Sequence, residues 1–365
     1  MTATAAQVTE RIRVRAREHR GDVPTVTVVI SCFNYARYLR QAVQSAVSQD
    51  GVAVDVIIVD DASTDDSLHV ARELSSYYEA VQVLAHTTNQ GVVETFNDGA
   101  KAARGEFLVR LDADDLLTPG SLRRSVAVAR AYPSVGLVYG HPLHFSGDEV
   151  PSSRSKAVSW TIWPGRSWLL DRCRSGINVI TSPEALVRRS ILEEIGYQAP
   201  LKHTHDMELW FRIAAFADVA YIHGADQAWH REHNGSLSAR EVDVLVDLQE
   251  RRDAFDVLFS GPAGGISEAP ILRQAATRAL VGEALSTARH ERDRGSRDSR
   301  LHSSCLDLAI QLDPGVARGP LWRTLTKTNR SNSAQWLRPM GLARRVGGRL
   351  TSQVRWNRWH RNGVY

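Results

Sequence analysis

Three carboxylates, Asp112, Asp114 and Asp115, follow directly on a short apolar run in FLVRLDADDLLTP (107–119). Alternate positions of an extended segment point the same way, so Asp112 and Asp114 can converge on one divalent cation. Hard oxygen ligands suit Mg²⁺ or Mn²⁺, and such an ion would neutralise a diphosphate. The bland alternative is a solvated acidic turn capping a helix that starts near Thr118. A second carboxylate pair, Asp60 and Asp61, ends the apolar run of DVIIVDDASTDDS (55–67). A carboxylate there can accept the imide hydrogen of a uracil or bond a ribose hydroxyl; alternatively Asp60 caps the turn and Asp61 is solvated. No glycine fingerprint follows the first apolar run, which continues as SCFNYARYL, and no GK[ST] loop occurs. Dinucleotide oxidoreductases and P-loop NTPases are thereby disfavoured.

The elements that must position these groups are legible from periodicity. Val26–Ile30, Val54–Val59, Val81–Ala85 and Phe107–Leu111 are short, β-branched, nearly uninterrupted apolar runs, as strands covered on both faces require. Helical patterns separate them: Ala36–Ser48 with Leu39, Val43, Ala46 and Val47 on one face, a helix capped by Ser63 or Thr64 with Asp65 and Asp66 in its first turn, and Val92–Ala103. This alternation predicts an α/β fold with a doubly wound, mainly parallel sheet flanked by helices. Ligands of such sheets sit beyond the carboxyl ends of the strands, where the polar residues of this chain collect. Further on, Val135–Tyr139 and Glu184–Arg188 read as strands, Ser190–Ile195 and His205–Phe216 as helices, and 160–168 as a Trp-rich stretch. From Arg240 the periodicity is helical, broken at Gly261–Gly265 and Pro314. The expected divisions are an extension over 1–23, the α/β domain over 24–240, a helical extension over 241–313 and a basic tail over 314–365.

Composition narrows the setting. The chain has 365 residues, 43% hydrophobic and 24% charged, which suits a protein with a sizeable core. No run approaches the roughly 18 apolar residues of a membrane span, and Met1–Arg20 lacks the apolar block of a secretory signal. Cys32, Cys173 and Cys305 are odd in number and far apart, which disfavours a disulfide frame or zinc site. These features predict a cytoplasmic protein. From Pro314 to Tyr365 there are eleven Lys or Arg and no Asp or Glu, so a chain of net charge +4 has a body, 1–313, of −7. That body, without a known binding module, argues against nucleic acid as a partner.

Taken together, the motifs resemble those of a family 2 glycosyltransferase with the GT-A fold. The resemblance runs from about Val26 to Ser238 through VTVVISCFNYARYLRQAVQSAVSQ, VDDASTDDS, NQGVVETFNDGAKAARGEFLVRLDADD, ALVRRSILEEIG, HTHDMELWFRIA and HREHNGSLS. It implies an inverting transfer from a nucleoside diphosphate sugar with Mn²⁺ or Mg²⁺. On these positions Asp61 resembles the aspartate that reads the nucleotide base, with Phe33 and Asn34 in the first loop beside it. Asp114 matches the main metal ligand, and Asp112 a ribose contact or further ligand. Asp206 matches the catalytic base, although His205 stands where the family has Glu, and Ser31-Cys32 replace its Pro-Thr. The HREHNGSLS stretch resembles the family's Arg-x-His element, which implies Arg231 on phosphate and His233, with His230 as competitor, on the metal.

Trp210, four residues after Asp206, could stack on a sugar ring but reads first as core. In the tail, arginines mix with Trp356 and Trp359 in a segment that could lie on an anionic membrane surface or be a solvated terminus. Gln353-Val354-Arg355-Trp356 is one residue short of the Gln-x-x-Arg-Trp element of processive synthases, which favours addition of one sugar to a hydroxyl acceptor, such as a lipid-linked sugar. The donor expected first is a UDP-sugar. The competing class is a catalytically silent scaffold with the same fold, against which stand the retained Asp61, Asp112, Asp114 and Asp206.

Overall fold

The computed structural model describes residues 7–233, 243–293 and 300–326, with 354, 357 and 358. The elements run β1 (Ile12–Arg15), β2 (Thr25–Cys32), α1 (Ala36–Val47), β3 (Ala53–Asp60), α2 (Ser67–Tyr77), β4 (Val81–Ala85) and α3 (Val92–Ala102). There follow β5 (Phe107–Asp112), β6 (Leu116–Leu117), α4 (Ser121–Ala131), β7 (Val135–Phe145), β8 (Ser159–Trp163), α5 (Gly165–Ser175) and β9 (Leu186–Arg188). The body closes with α6 (Arg189–Ile195), α7 (His205–Phe216) and β10 (Asp218–Arg231). Among the described residues the helices α8 (Val244–Ser260), α9 (Ala269–Asp293), α10 (Arg300–Leu312) and α11 (Pro320–Thr326) follow.

One sheet carries the order β1-β8-β10-β7-β9-β5-β2-β3-β4, with β6 against β10. The half β5-β2-β3-β4 is parallel, as the apolar runs predict. Alternation along these strands divides the core in two. Val28, Ile30, Val56 and Ile58 face one side with Leu39, Ala42, Val43 and Val70 of α1 and α2. Val29, Ile57, Val59 and Leu108 face the other with Phe96, Trp210 and Phe211. Trp210 is 1% exposed and so belongs to the core.

Several elements differ from the sequence reading. Residues 12–15 lie in the expected N-terminal extension yet pair with β8, and Asp218 ties this segment down by accepting from the Val8 N–H at 2.7 Å. The Trp-rich stretch becomes β8 and the start of α5. The second helix begins at Ser67 with Asp66 as its N-cap, not at Ser63 or Thr64. The reason is Asn34, whose Oδ1 accepts from the Thr64 and Asp65 N–H groups and holds that turn outside the helix. The tail segment rich in Arg and Trp lies, apart from the three positions named, outside the described residues. No described helix is long and apolar enough to cross a membrane.

Helix α7 is buried almost all round, with Met207, Leu209, Trp210, Phe211 and Ile213 in contact with the core. Its Glu208 pairs with Arg212, which also donates to the carbonyls of Ile195 and Gly196 and so fixes the entry to the helix. The C-terminal end of α7 rests on Gly165, whose backbone lies so close to the carbonyls of Ala214 and Ala217 that a Cβ has no room. Gly165→Ala should therefore lower stability by at least about 1–3 kcal/mol, the usual cost of overpacking, seen as a reduced urea midpoint.

Candidate active site

The carboxyl ends of β2, β3 and β5 are flush, with Ser31 opposite Asp112 and Cys32 opposite Asp60. The loops that leave them line one crevice. Among the described residues, three other than glycine have positive φ: Asn34 at 61°, Ala62 at 57° and Ser182 at 96°. Asn34 and Ala62 follow β2 and β3, and Ser182 contacts Asp206. Uncommon backbone conformations concentrated this way are held by their surroundings, as at functional sites.

Asp61 is 3% exposed and organises the turn ahead of α3. Its Oδ1 accepts from Gln90 N–H at 2.7 Å and meets His86 Nδ1 at 2.8 Å, while Oδ2 accepts from Gly91 N–H at 2.9 Å. Burial pushes its pKa up, but these hydrogen bonds outweigh it and hold the carboxyl below its ordinary value. A carboxylate has about four acceptor positions, so three bonds leave one for a ligand N–H or hydroxyl. Phe33, 42% exposed, stands in the adjoining loop.

The aspartate turn separates its three carboxylates. Asp112 accepts from Arg110 Nη2 at 2.9 Å and is about one-third exposed, with side-chain exposure of 34%. Asp114 instead meets His233, Oδ2 to Nε2 at 2.9 Å. Asp115 is buried, accepting from Arg231 N–H at 2.8 Å and meeting His230 Nδ1 at 3.0 Å. Burial, then Asp115 and Asp112, push Asp114 up to about 6 against the pull of His233. A cation would relieve that crowding of negative charge.

Asp114 and His233 fit such an ion. Adjacent ligands of an octahedral cation with bonds of about 2.0–2.1 Å stand about 3 Å apart, close to the separation present here. Among the described residues no group of three His, Cys, Asp or Glu side chains is arranged to hold a metal. Two protein ligands with the remainder from phosphate and water is the usual manner of Mg²⁺. Asp112, expected to converge with Asp114, is turned to Arg110. His230 is tied to Asp115, so His233 is the histidine at Asp114.

Arg231, expected against phosphate, is placed inside the protein at 1% exposure. Its guanidinium donates to the carbonyls of Asp114 and Gly147 and to Gln41 Oε1, between the rings of Tyr38 and Phe145. It braces the turn from behind. The rest of the HREHNGSLS stretch beyond His233 lies outside the described residues.

Asp206 is partly buried in the first turn of α7. It accepts from Met207 N–H at 2.6 Å, with Ser182 Oγ at 3.3 Å and Asn178 Nδ2 at 3.4 Å. Burial raises its pKa, and Arg110 opposes that rise. Arg110 escaped the sequence reading because it sits inside an apolar run. It is 6% exposed and donates through Nη1 to His205 Nε2 at 3.1 Å while Nη2 holds Asp112. Burial, followed by Arg110, pushes His205 down to about 3, so the imidazole is neutral and can accept that bond. One guanidinium thus links the aspartate turn to the start of the α7 helix. Glu208 is occupied by Arg212, which leaves Asp206 as the carboxylate at this end of α7 with room to receive a proton.

Residues 27–196 match the family described as Glycosyl transferase family 2. Over these residues, just under half of its length, the chain is similar to the family 2 glycosyltransferases. It is 37% identical over 109 residues to the succinoglycan biosynthesis protein ExoO of Rhizobium meliloti, an alignment covering 30% of this chain and 31% of ExoO. The chain spans 35% to 62% of the first curated relatives it matches. Among solved structures, S. aureus TarS 1-349 in complex with UDP-GlcNAc superposes with a TM-score of 0.54 at 18% identity, covering 79% of this chain and 81% of TarS. The mannosyltransferase PcManGT from Pyrobaculum calidifontis, in complex with GDP-Man and Mn²⁺, gives 0.50 at 18% identity over 90% and 86%. At this identity the two share the glycosyltransferase fold with the chain.

Proposed function

We propose that this chain is an inverting, non-processive glycosyltransferase that moves one sugar from a nucleoside diphosphate sugar to a hydroxyl acceptor in polysaccharide or glycolipid assembly. The observation that supports the reading is the Arg110 bridge, which ties His205, the neighbour of Asp206, to Asp112 of the aspartate turn. This supports a reading in which a carboxylate with a raised pKa works beside the turn whose Asp114, with His233, would hold a cation at the diphosphate. ExoO supports the assembly of a polysaccharide, while TarS with UDP-GlcNAc and PcManGT with GDP-Man support the donor class. A UDP-sugar is the first candidate, with Asp61 taking the base and Phe33 and Asn34 beside it.

Asp206 would take the proton of the acceptor hydroxyl as its oxygen attacks the anomeric carbon and the diphosphate leaves from the opposite side. A single displacement inverts that centre. A divalent cation held by Asp114 and His233 would supply charge stabilisation to the departing diphosphate. Asp112 would meet the donor ribose while Arg110 holds its other side. The tail's eleven basic side chains support contact with an anionic lipid surface at about 1 kcal/mol each, which would bring a cytoplasmic enzyme to a lipid-linked acceptor.

The test is a panel of nucleotide sugars with Mn²⁺ read by thermal shift. The cognate donor at about 100 times its Kd should add about 2.7 kcal/mol of stability. If no nucleotide sugar raises the melting temperature with or without Mn²⁺, the reading is wrong.

A further inference from the structure

Away from the crevice, α1 and α2 flank a surface groove of about 890 Å³. Its floor is Leu74, and its walls carry Arg40, Gln44, Arg72, Glu73 and Tyr77. None of these side chains takes part in the site described above. Tyr77 is 79% exposed, the most open of the large hydrophobic side chains among the described residues. Its ring is nonetheless oriented, because Tyr78 meets it edge to face at 4.7 Å between centroids and 84° between planes. An aromatic face turned to solvent and held by a neighbour loses little freedom when a ligand packs on it.

The polar lining divides into used and unused charge. Glu73 is taken by Arg40 and by His69, whose Nε2 lies 3.2 Å from its Oε1. Arg72 has no carboxylate within ion-pair reach among the described residues, although it lines the same groove. The groove therefore offers the ring of Tyr77, the planar amide of Gln44 and the unmatched guanidinium of Arg72, while Arg40 and Glu73 are paired with each other. A sugar ring presents a C–H face that packs on an aromatic ring and a rim of hydroxyls that bond planar amide, carboxylate and guanidinium groups. An acidic substituent on that sugar would pair with Arg72 in bidentate fashion.

Position adds to chemistry. Ser67, the first residue of α2, accepts the Tyr35 N–H at 2.9 Å and so belongs to the loop at the crevice. Tyr77 ends the same helix, and eleven residues of helix span about 16 Å. The groove from His69 to Tyr78 thus runs outward from the crevice wall along α2.

We propose that the groove between α1 and α2 is a second saccharide site, which holds an oligosaccharide bearing acidic substituents by stacking on Tyr77 and pairing with Arg72. The choice of a saccharide as occupant rests on the function proposed above, in which a glycan is acceptor or product. The site would hold a part of that glycan distant from the reacting hydroxyl.

The experiment uses the full chain without nucleotide or metal, so its outcome does not depend on donor chemistry. Binding of a uronic acid hexamer and a neutral glucan hexamer is titrated by saturation-transfer NMR. The uronate hexamer should bind the native protein and Asp114→Ala equally, and Tyr77→Ala and Arg72→Ala should each raise its Kd about tenfold. Both positions are exposed, so neither variant should alter the melting temperature. The proposal is overturned if the uronate hexamer does not bind, if Tyr77→Ala or Arg72→Ala leaves its affinity unchanged, or if the neutral hexamer binds as well. Loss of binding in Asp114→Ala would place the glycan in the crevice and overturn it too. Sedimentation velocity supplies the remaining arm: a dimer of the native chain that Tyr77→Ala dissociates would make the groove a contact between copies instead.

Discussion

Asp206→Asn should lower turnover by about 10²–10⁴ while leaving donor affinity nearly intact. The amide keeps the shape of the carboxylate, and its carbonyl oxygen can still accept the Met207 N–H that anchors it at the head of α7. What it loses is basicity. The groups around the side chain are Ser182, Asn178 and, through His205, Arg110. Neither neighbouring candidate can take over: Glu208 is paired with Arg212, and His205, pushed down to about 3, spends its Nε2 lone pair on Arg110. Because burial raises the Asp206 pKa, native activity should decline on the acid side as the carboxyl gains its proton, and the residual activity of the variant should not follow that decline. Steady-state rates across pH, with donor Kd measured separately by calorimetry, read both effects. Near-native turnover in the variant would move the proton to another group.

How much of this was legible before the structure depends on where each residue finds its partners. The strands β2, β3, β4 and β5 could be read because a strand covered on both faces is a nearly continuous apolar run, and Val26–Ile30 and Val54–Val59 are each broken by one polar residue, Thr27 and Asp55. Strand β10 could not. Its Asp218, His223, Asp226 and Gln227 break the apolar pattern, and each is satisfied by a residue remote in sequence, as Asp226 is by His141 and Arg154 and Gln227 by Arg124. Local periodicity carries no trace of such pairing. The same holds within the site. Asp61, Asp114 and Asp206 were visible as carboxylates at element ends, whereas Arg110 looked like an intruder in a strand until His205, 95 positions away, was seen to accept from it. Arg231 shows the converse case. Its type suggested phosphate, but three acceptors of the protein itself, Asp114 O, Gly147 O and Gln41 Oε1, claim its guanidinium. Residue type announces what a side chain can bind, and only packing decides which partner arrives first.

Asp114→Ala should remove metal-dependent donor binding while the protein stays folded. The side chain is nearly buried, but its described partner is a single histidine nitrogen, so its loss breaks no network that the core needs. Arg231 would still brace the turn, since its bond at this residue goes to the main-chain carbonyl of position 114, which alanine retains. The removal also relieves repulsion, because Asp114 is crowded by Asp115 and Asp112. Stability should therefore hold or rise slightly in the absence of metal. Binding should behave otherwise. With two protein ligands expected at the cation, loss of the carboxylate leaves His233 alone, a neutral donor that brings no compensating charge. Outer partners of metal ligands already change affinity by about 10- to 100-fold, and a direct ligand should cost at least about 100-fold in Mn²⁺ affinity. Calorimetric titration of the nucleoside diphosphate, with and without Mn²⁺, separates the contributions. The native protein should bind more tightly with the ion, and the variant should bind weakly and equally in both conditions. Asp112→Ala provides the contrast: it frees Arg110 and removes a proposed ribose contact, so it should weaken donor binding with the Mn²⁺ increment preserved. If the increment survives in Asp114→Ala and vanishes in Asp112→Ala, the ion belongs to Asp112, and the meeting of Asp114 with His233 is a hydrogen bond that shapes the turn.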